Sequence, residues 1–218
     1  MDLFERSLIG SMLPLVDGIV ERLHAGIDVA DVGCGRGRAI NLMAAAFPAS
    51  RFAGIDFSSA AIDVARTEAT AAGLRNARFI RADLDLPLPG LFDLVTTFDV
   101  VHDLARPRRV LENIAAALRD DGRFLMMDVA GSSRLEDNIG HPLGSMLYTM
   151  SCLHCMPVSL AQGGEGLGAM WGEETAARYL RQAGFGNVRV SRLAGDPMHA
   201  FYIACRWADA RERRPSRL

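Results

Sequence analysis

A short segment of the chain, D-V-G-C-G-R-G, contains Asp31, Gly33, Gly35 and Gly37. Glycine loses more conformational entropy on folding than other residues, so this cluster indicates positive φ or a ligand close to the backbone. A glycine-rich loop between a strand and a helix presents N–H groups to such a ligand. Arg38 stands where a dinucleotide-binding loop has its third glycine, since the spacing is G-x-G-x-G. The loop therefore predicts a ligand site and disfavours a pyrophosphate.

Two further aspartates end the next two apolar runs, Asp56 in R-F-A-G-I-D and Asp83 in A-R-F-I-R-A-D. A carboxylate after the second strand can accept hydrogen bonds from both hydroxyls of a ribose. Asp83 is placed to accept from an adenine amine, and Phe57 and Leu84 could enclose the purine. With Asp31 these acids favour a ligand with a sulfonium and an ammonium. Taken singly, each aspartate could equally be a helix cap or a turn residue.

A histidine and an aspartate, His102 and Asp103, come after the fourth apolar run. The unperturbed pKa of histidine, about 6.5, lets a neutral imidazole accept a proton near neutrality. His102 is therefore a candidate general base, with Asp103 beside it as a candidate catalytic partner. The alternative is that His102 has a packing or hydrogen-bonding role.

Residues 130–172 form an insert rich in Met, Gly and His, which interrupts the alternation of strands and helices. Inserts at the carboxyl ends of strands often shape the ligand crevice. Aromatic and apolar side chains with polar tips are typical of a small-molecule site. The candidate substrate-binding residues are Tyr148, His154, Met170 and Trp171. The alternative is that such residues simply bury one face of a helix.

The insert also contains C-L-H-C, with Cys152, His154 and Cys155. A structural zinc site requires about four ligands, so a second cluster is needed. Cys34 lies in the glycine loop and Cys205 in the last predicted strand, so neither is suitable. We predict no metal here.

Five apolar runs alternate with helical patterns, which indicates βαβ units and a parallel sheet. The predicted strands are 28–33, 51–56, 77–83, 92–99 and 122–129, and the predicted helices are 36–47, 59–72, 107–119 and 173–184. The segments N-V-R-V-S-R-L and A-F-Y-I-A-C-R follow, joined by a short loop with Gly and Pro, and predict a hairpin. The predicted fold class is α/β, a Rossmann-like doubly wound seven-stranded sheet, mostly parallel, with one antiparallel strand in a C-terminal hairpin.

An amphipathic helix is predicted ahead of this core, in residues 1–24. Its apolar side chains share one face at helical spacing: Phe4, Leu8, Met12, Val16, Ile19 and Leu23. At the other end, residues 207–218 crowd arginines around a proline and predict a disordered basic tail.

These motifs, in this order, resemble class I S-adenosylmethionine-dependent methyltransferases of small molecules over about residues 25–206. The resemblance implies that S-adenosylmethionine is the cofactor. It also implies roles for individual residues: the three glycines would line the methionine end, Asp56 would hold the ribose and Asp83 the adenine amine. The full candidate set for the cofactor is Asp31, Gly33, Gly35, Gly37, Asp56, Phe57, Asp83, Leu84 and Phe98.

The pair His102–Asp103 resembles a His-Asp pair of small-molecule O-methyltransferases, in which the histidine deprotonates a hydroxyl. Leu104 stands where that family often has tryptophan. The insert resembles that of bacterial methyltransferases with an N-terminal winged-helix domain, whereas this chain begins one helix before the cofactor domain. We therefore expect a short form or a fragment, in which the apolar face of the first helix drives self-association into a homodimer or closes over the site.

Composition limits the alternatives. The chain has 218 residues and a formal net charge of −2, so no general attraction to nucleic acid or anionic lipid is expected. No apolar run reaches the roughly 18 residues of a membrane span, and four cysteines are too few for a disulfide scaffold, which favours the cytoplasm.

The predicted function is methyl transfer to an O, N or S atom of a small-molecule acceptor. The alternative is a regulatory or interaction protein that binds the cofactor without turnover. A nicotinamide oxidoreductase is disfavoured by Arg38, and an enzyme acting on nucleic acid is disfavoured by the lack of a basic stripe.

Overall fold

The computed structural model describes residues 3–207, and its centre is one seven-stranded sheet in the order β3-β2-β1-β4-β5-β7-β6. The strands are β1 Asp28–Val32, β2 Arg51–Asp56, β3 Ala77–Arg81, β4 Phe92–Phe98, β5 Leu118–Val129, β6 Phe185–Ser191 and β7 His199–Arg206. Strands β1 to β5 pair in parallel, and β7 runs antiparallel to both β5 and β6. The predicted Rossmann-like fold with one reversed strand is confirmed.

Helices cover both faces of the sheet. They are α1 Leu3–Ser7, α2 Ile19–Ala25, α3 Arg38–Ala46, α4 Ser59–Ala71, α5 Pro107–Ala117, α6 Gly144–Met150, α7 Met156–Ala161 and α8 Glu173–Gln182. Successive strand residues point to opposite faces, so Val29 packs with α2, α3 and α4 while Ala30 packs with α5 and α8. The sheet is thus buried between two apolar layers, which hold its carboxyl ends rigidly in place.

Local sequence explains where several helices begin and end. The Ser58 hydroxyl accepts the Ala61 N–H at 3.3 Å and caps α4. Gly73 follows α4 with φ +68°, the left-handed conformation that closes a helix. Pro107 begins α5, where its missing N–H costs nothing.

The prediction of one leading helix in residues 1–24 is wrong. The helical segment Leu3–Leu15 ends after Pro14, and α2 begins anew at Ile19 behind Gly18, whose φ is +68°. A glycine in this conformation turns the chain, so one continuous helix is excluded. The predicted apolar face nevertheless exists. It is buried in the apolar layer that α2, α3 and α4 form on one face of the sheet, through Leu8, Met12, Val16, Ile19 and Leu23. Because these side chains are already covered, they offer no exposed face for self-association or closure.

Other predicted boundaries differ by a few residues. Helix α5 ends at Ala117, and β5 begins at once with Leu118, four residues before the predicted start. Within the insert, α6, a π-helical turn Ser151–Cys155 and α7 follow one another without a break. The predicted basic tail, apart from Trp207, lies outside the described residues. Among residues 3–207 no helix is long and apolar enough to cross a membrane.

Candidate functional site

A cleft of about 860 Å³ opens at the carboxyl ends of β1, β2, β3 and β4. This is the point of a doubly wound sheet where connections on either side of β1 diverge, and where ligands bind in such folds. Two walls and a roof line it. The β2–β3 wall is Asp56, Phe57, Asp83 and Leu84, the β4 wall is Asp99, Val100, Asp103 and Leu104, and the roof is His154, Val158 and Gln162.

The glycine loop lies between the two walls. Gly33 lines the cleft, whereas Gly35 and Gly37 are not among the described residues that line it. All three have positive φ, and a Cβ added at Gly33 would approach the Val100 side chain to 2.3 Å. At Gly37 the same addition would meet Phe79 at 2.3 Å, while at Gly35 it would meet nothing within 4 Å. Gly33 and Gly37 are therefore required both by close packing and by their positive φ, whereas Gly35 is required by its positive φ alone.

Asp56 ends β2 and connects the glycine loop to α4. Its Oδ2 accepts the Gly35 N–H and its Oδ1 accepts the Ser58 N–H, each at 2.8 Å. The carboxylate is buried but borders the cleft. A carboxylate oxygen has two lone pairs, so each oxygen retains capacity for another donor.

The rest of the β2–β3 wall combines one acid with apolar surface. Asp83 Oδ1 accepts the Asp85 N–H at 3.0 Å, which fixes the carboxylate at the end of β3. Phe57 is 58% exposed, while Leu84 is buried beneath the cleft surface. A flat ring between these side chains would cover apolar area that is now in contact with water.

Two further members of the predicted cofactor set, Asp31 and Phe98, are like Gly35 and Gly37 not among the described residues that line the cleft. Asp31 is buried, and its carboxylate accepts the Thr96 hydroxyl at 2.7 Å. Burial raises the pKa of Asp31 to about 7, the Thr96 hydrogen bond opposes the rise, and the charge of Asp56 adds to it. Asp31 is therefore only partly ionised near neutral pH. Phe98 packs edge to face on Phe4, with ring centroids 5.2 Å apart, in the layer below the sheet.

His102 is buried in the turn after β4, and Asp103, beside it, borders the cleft. His102 Nδ1 lies 2.6 Å from Asp128 Oδ1, and its Nε2 lies 3.4 Å from Asp103 Oδ1. Burial opposes the imidazolium, but the charge and hydrogen bond of Asp128, then Cys155 and Asp103, raise the pKa of His102 to about 11. An imidazolium has no free lone pair, so this arrangement favours the hydrogen-bonding role over that of a base.

Of the four predicted substrate-binding residues, His154 alone lies among the described residues that line the cleft. Trp171 is buried and donates its Nε1–H to Asp128 Oδ1 at 3.2 Å, and Met170 is buried with Val129. The Tyr148 hydroxyl accepts the Asn138 amide at 3.0 Å. These three side chains fill the space between the insert and the sheet, so the packing interpretation applies to them.

Asp99 was not in the predicted set, although it borders the cleft. It has φ +53°, unusual for a residue with a side chain. Its Oδ2 lies 3.1 Å from His199 Nε2, and its Oδ1 is buried without a hydrogen-bond partner among the described residues. The sequence signal was an aspartate directly after β4, in T-F-D-V-V.

Comparison with known proteins fits this architecture. A family profile described as "Methyltransferase domain" matches residues 23–184. The chain therefore belongs to this methyltransferase family, and the predicted resemblance to class I S-adenosylmethionine-dependent methyltransferases is confirmed.

Individual relatives are distant. An uncharacterized methyltransferase of Bacillus subtilis, YcgJ, is 32% identical over 102 residues, covering 46% of this chain and 40% of that protein. Mitomycin 7-O-methyltransferase MmcR has the same fold, with a TM-score of 0.68 and 23% identity over 93% of this chain and 56% of its own. Human N-acetylserotonin methyltransferase, solved with SAM, has a TM-score of 0.66 and 21% identity over 94% of this chain and 52% of its own. The chain spans well under two thirds of the curated relatives that it matches.

Proposed function

We propose that this chain binds S-adenosylmethionine in the cleft and transfers its methyl group to an oxygen, nitrogen or sulfur atom of a small molecule. Family membership supports the reaction class. The observation that carries the proposal for the site is Asp56, whose carboxylate is held by two backbone N–H groups at the edge of the cleft. A fixed carboxylate there suits the two hydroxyls of a ribose.

The residues of the cleft fit the other parts of the cofactor. Asp83 is positioned to accept from the adenine amine, and Phe57 and Leu84 offer apolar surface to the ring. Asp99 Oδ1, buried and without a partner among the described residues, is suited to a cationic donor such as the methionine ammonium. An unsatisfied buried carboxylate oxygen is costly, so a bound ammonium would stabilise this side chain.

When bound, S-adenosylmethionine supplies a methyl carbon that its sulfonium already activates. The chain then has to hold the acceptor close to that carbon and exclude water, which can provide much of the acceleration. Leu104 and Val158 provide apolar cover, and Asp103 and His154 are polar groups next to them. An acceptor hydroxyl has to lose its proton to a base. We do not assign that base to His102, because its role here is to hydrogen-bond Asp128. The name of MmcR describes an oxygen acceptor, which supports testing hydroxyl compounds first.

Calorimetric titration with S-adenosylmethionine tests the proposal. Asp56→Ala should weaken binding by about 1–3 kcal/mol, roughly 5- to 150-fold, because two ribose hydroxyls lose their acceptor. Asp63→Ala is the matched control: Asp63 is an aspartate of α4 with a side chain 73% exposed, paired with Arg66 on the surface. Thermal unfolding of both variants checks that the fold is intact. Equal affinities of the Asp56 and Asp63 variants would contradict the assigned site.

Turnover is tested separately by an acceptor screen that measures release of S-adenosylhomocysteine. Release that depends on an acceptor and is lost with Asp56→Ala is the expected result. Binding without release on any acceptor would favour the alternative, a regulatory protein that retains the cofactor site. Tight NADH binding with no affinity for S-adenosylmethionine would instead support the disfavoured oxidoreductase.

A further inference from the structure

We propose that His102, Asp103 and Cys155 form a binding site for a divalent transition-metal ion of the zinc class. One ligand atom of each residue lies within 4.8 Å of the others. The prediction of no metal is based on Cys152, His154 and Cys155 in C-L-H-C and on the unsuitable positions of Cys34 and Cys205. The fold instead brings Cys155 to a histidine about fifty positions earlier in the chain.

The orientation of His102 is that of a metal ligand. Its Nδ1 lies 2.6 Å from Asp128 Oδ1, which also accepts the Val129 N–H at 2.8 Å and the Trp171 Nε1–H at 3.2 Å. Histidine ligands commonly donate their second ring N–H to a carboxylate, which fixes the ring and its tautomer. Asp128 is fully buried and holds Nδ1, which leaves Nε2 on the side of Asp103.

The distance between the two polar ligand atoms fits an ion placed between them. His102 Nε2 and Asp103 Oδ1 are 3.4 Å apart, long for a charge-assisted hydrogen bond. Ligands about 2.0–2.1 Å from a tetrahedral zinc ion lie about 3.3 Å from each other. Independently, Asp103 Oδ1 is buried and has no hydrogen-bond partner among the described residues, a state that a cation would relieve.

The third proposed ligand is the Sγ of Cys155, a residue of the insert. It is buried at the end of the π-helical turn Ser151–Cys155, a helix type often found at functional sites. Nitrogen, oxygen and sulfur ligands together suit zinc, and three protein ligands leave a fourth position open. Among the described residues that line the cleft, Asp103 is the one member of this set, so it connects the proposed ion to the cleft.

The competing arrangement is the same cluster holding a proton in place of the ion, as an imidazolium between Asp128 and Asp103. Both arrangements use the hydrogen bond of His102 to Asp128. They differ at Cys155, because only an ion requires the thiolate. The test therefore depends on this cysteine and on a matched one nearby, Cys152, which is exposed on the same helical segment.

The experiment uses the full chain, stripped with a chelator and titrated with Zn²⁺ and with Co²⁺ in the absence of S-adenosylmethionine. We expect one equivalent of Zn²⁺ and a thiolate-to-cobalt charge-transfer absorption. Cys155→Ser should abolish the absorption and weaken Zn²⁺ binding at least tenfold, Asp103→Asn should also weaken it, and Cys152→Ser should match wild type. Circular dichroism verifies that the variants fold.

Failure of this inference can be distinguished from failure of the proposed function. Absence of a cobalt absorption, or equal Zn²⁺ affinity of the Cys155 and Cys152 variants, overturns the metal site while S-adenosylmethionine binding stays intact. Loss of the proposed cofactor site would instead appear as missing S-adenosylmethionine affinity in a chain that still binds the ion.

Discussion

The two walls of the cleft differ in how their acidic groups are satisfied. In the β2–β3 wall, both oxygens of Asp56 and one of Asp83 accept backbone N–H groups from nearby residues. In the β4 wall, one oxygen each of Asp99 and Asp103 is buried without a hydrogen-bond partner in the described part of the chain. The first wall is thus preorganised by the backbone, whereas the second leaves two buried carboxylate oxygens available to a ligand or an ion.

The largest expected effect comes from Gly33, where the two walls meet. Gly33→Ala combines a φ of +73° with a Cβ only 2.3 Å from Val100. We expect urea unfolding to show a loss of about 2–4 kcal/mol in the free energy of unfolding, from backbone strain and overpacking together. Gly35→Ala shares the strain but has no atom within 4 Å of the added Cβ, so its loss should be about 1–2 kcal/mol. Equal losses would show that the close approach of Gly33 to Val100 is unimportant.

A smaller effect is expected in the β4 wall itself. Asp99→Asn removes the negative charge that we propose pairs with the methionine ammonium. The substitution should weaken S-adenosylmethionine binding about tenfold, as measured by calorimetry. Asp196→Asn is the matched control, because Asp196 contacts the same histidine, His199, but is not among the cleft-lining residues. Indistinguishable affinities of the two variants would remove Asp99 from the cofactor site.

The smallest expected effect is a pH dependence of stability. His199 Nε2 faces Asp99 and its Nδ1 faces Asp196. Burial opposes the imidazolium, but hydrogen bonds and charges of Asp99 and then Asp196 raise the pKa of His199 to about 9. A raised pKa means that the stabilisation is complete below about pH 6.5 and is lost as the pH rises through about 9.

Urea unfolding at a series of pH values measures this effect. We expect the free energy of unfolding to fall by about 1 kcal/mol across that interval in the wild type, less than the full pKa shift implies, because water screens these partly exposed ion pairs. The change should be much smaller in His199→Gln, which lacks the titrating group. The same slope in both proteins would show that the ion pairs of His199 do not stabilise the β4 wall.

Residues that follow strands could be predicted at the cleft from the sequence, whereas the placement of the insert could not. Asp56 and Asp83 could be predicted at the cleft because Asp56 ends β2 and Asp83 closely follows β3, and parallel strands end at a common edge. The fold followed from the same alternation of strands and helices. The sequence also predicts that Trp171 binds substrate, and the structure buries its side chain next to Asp128. An aromatic side chain in an insert has no periodic pattern that separates packing from binding.

Long-range contacts account for the remaining differences. The approach of Cys155 to His102 depends on how the insert folds back over the turn after β4, and nothing local in C-L-H-C indicates this. The break in the leading helix was more accessible, since Pro14 and Gly18 stand close together in the sequence. The apolar periodicity continues across this break, because both helical pieces bury the same side of the chain. It therefore predicts one helix.

A crystal structure of the chain with S-adenosylhomocysteine would show whether the cleft is the cofactor site. We expect the ribose hydroxyls on the Asp56 carboxylate, the adenine amine at Asp83 and the amino group of the ligand beside Asp99. A ligand bound outside the cleft, or one in the cleft that leaves Asp56 without a contact, would contradict this expectation.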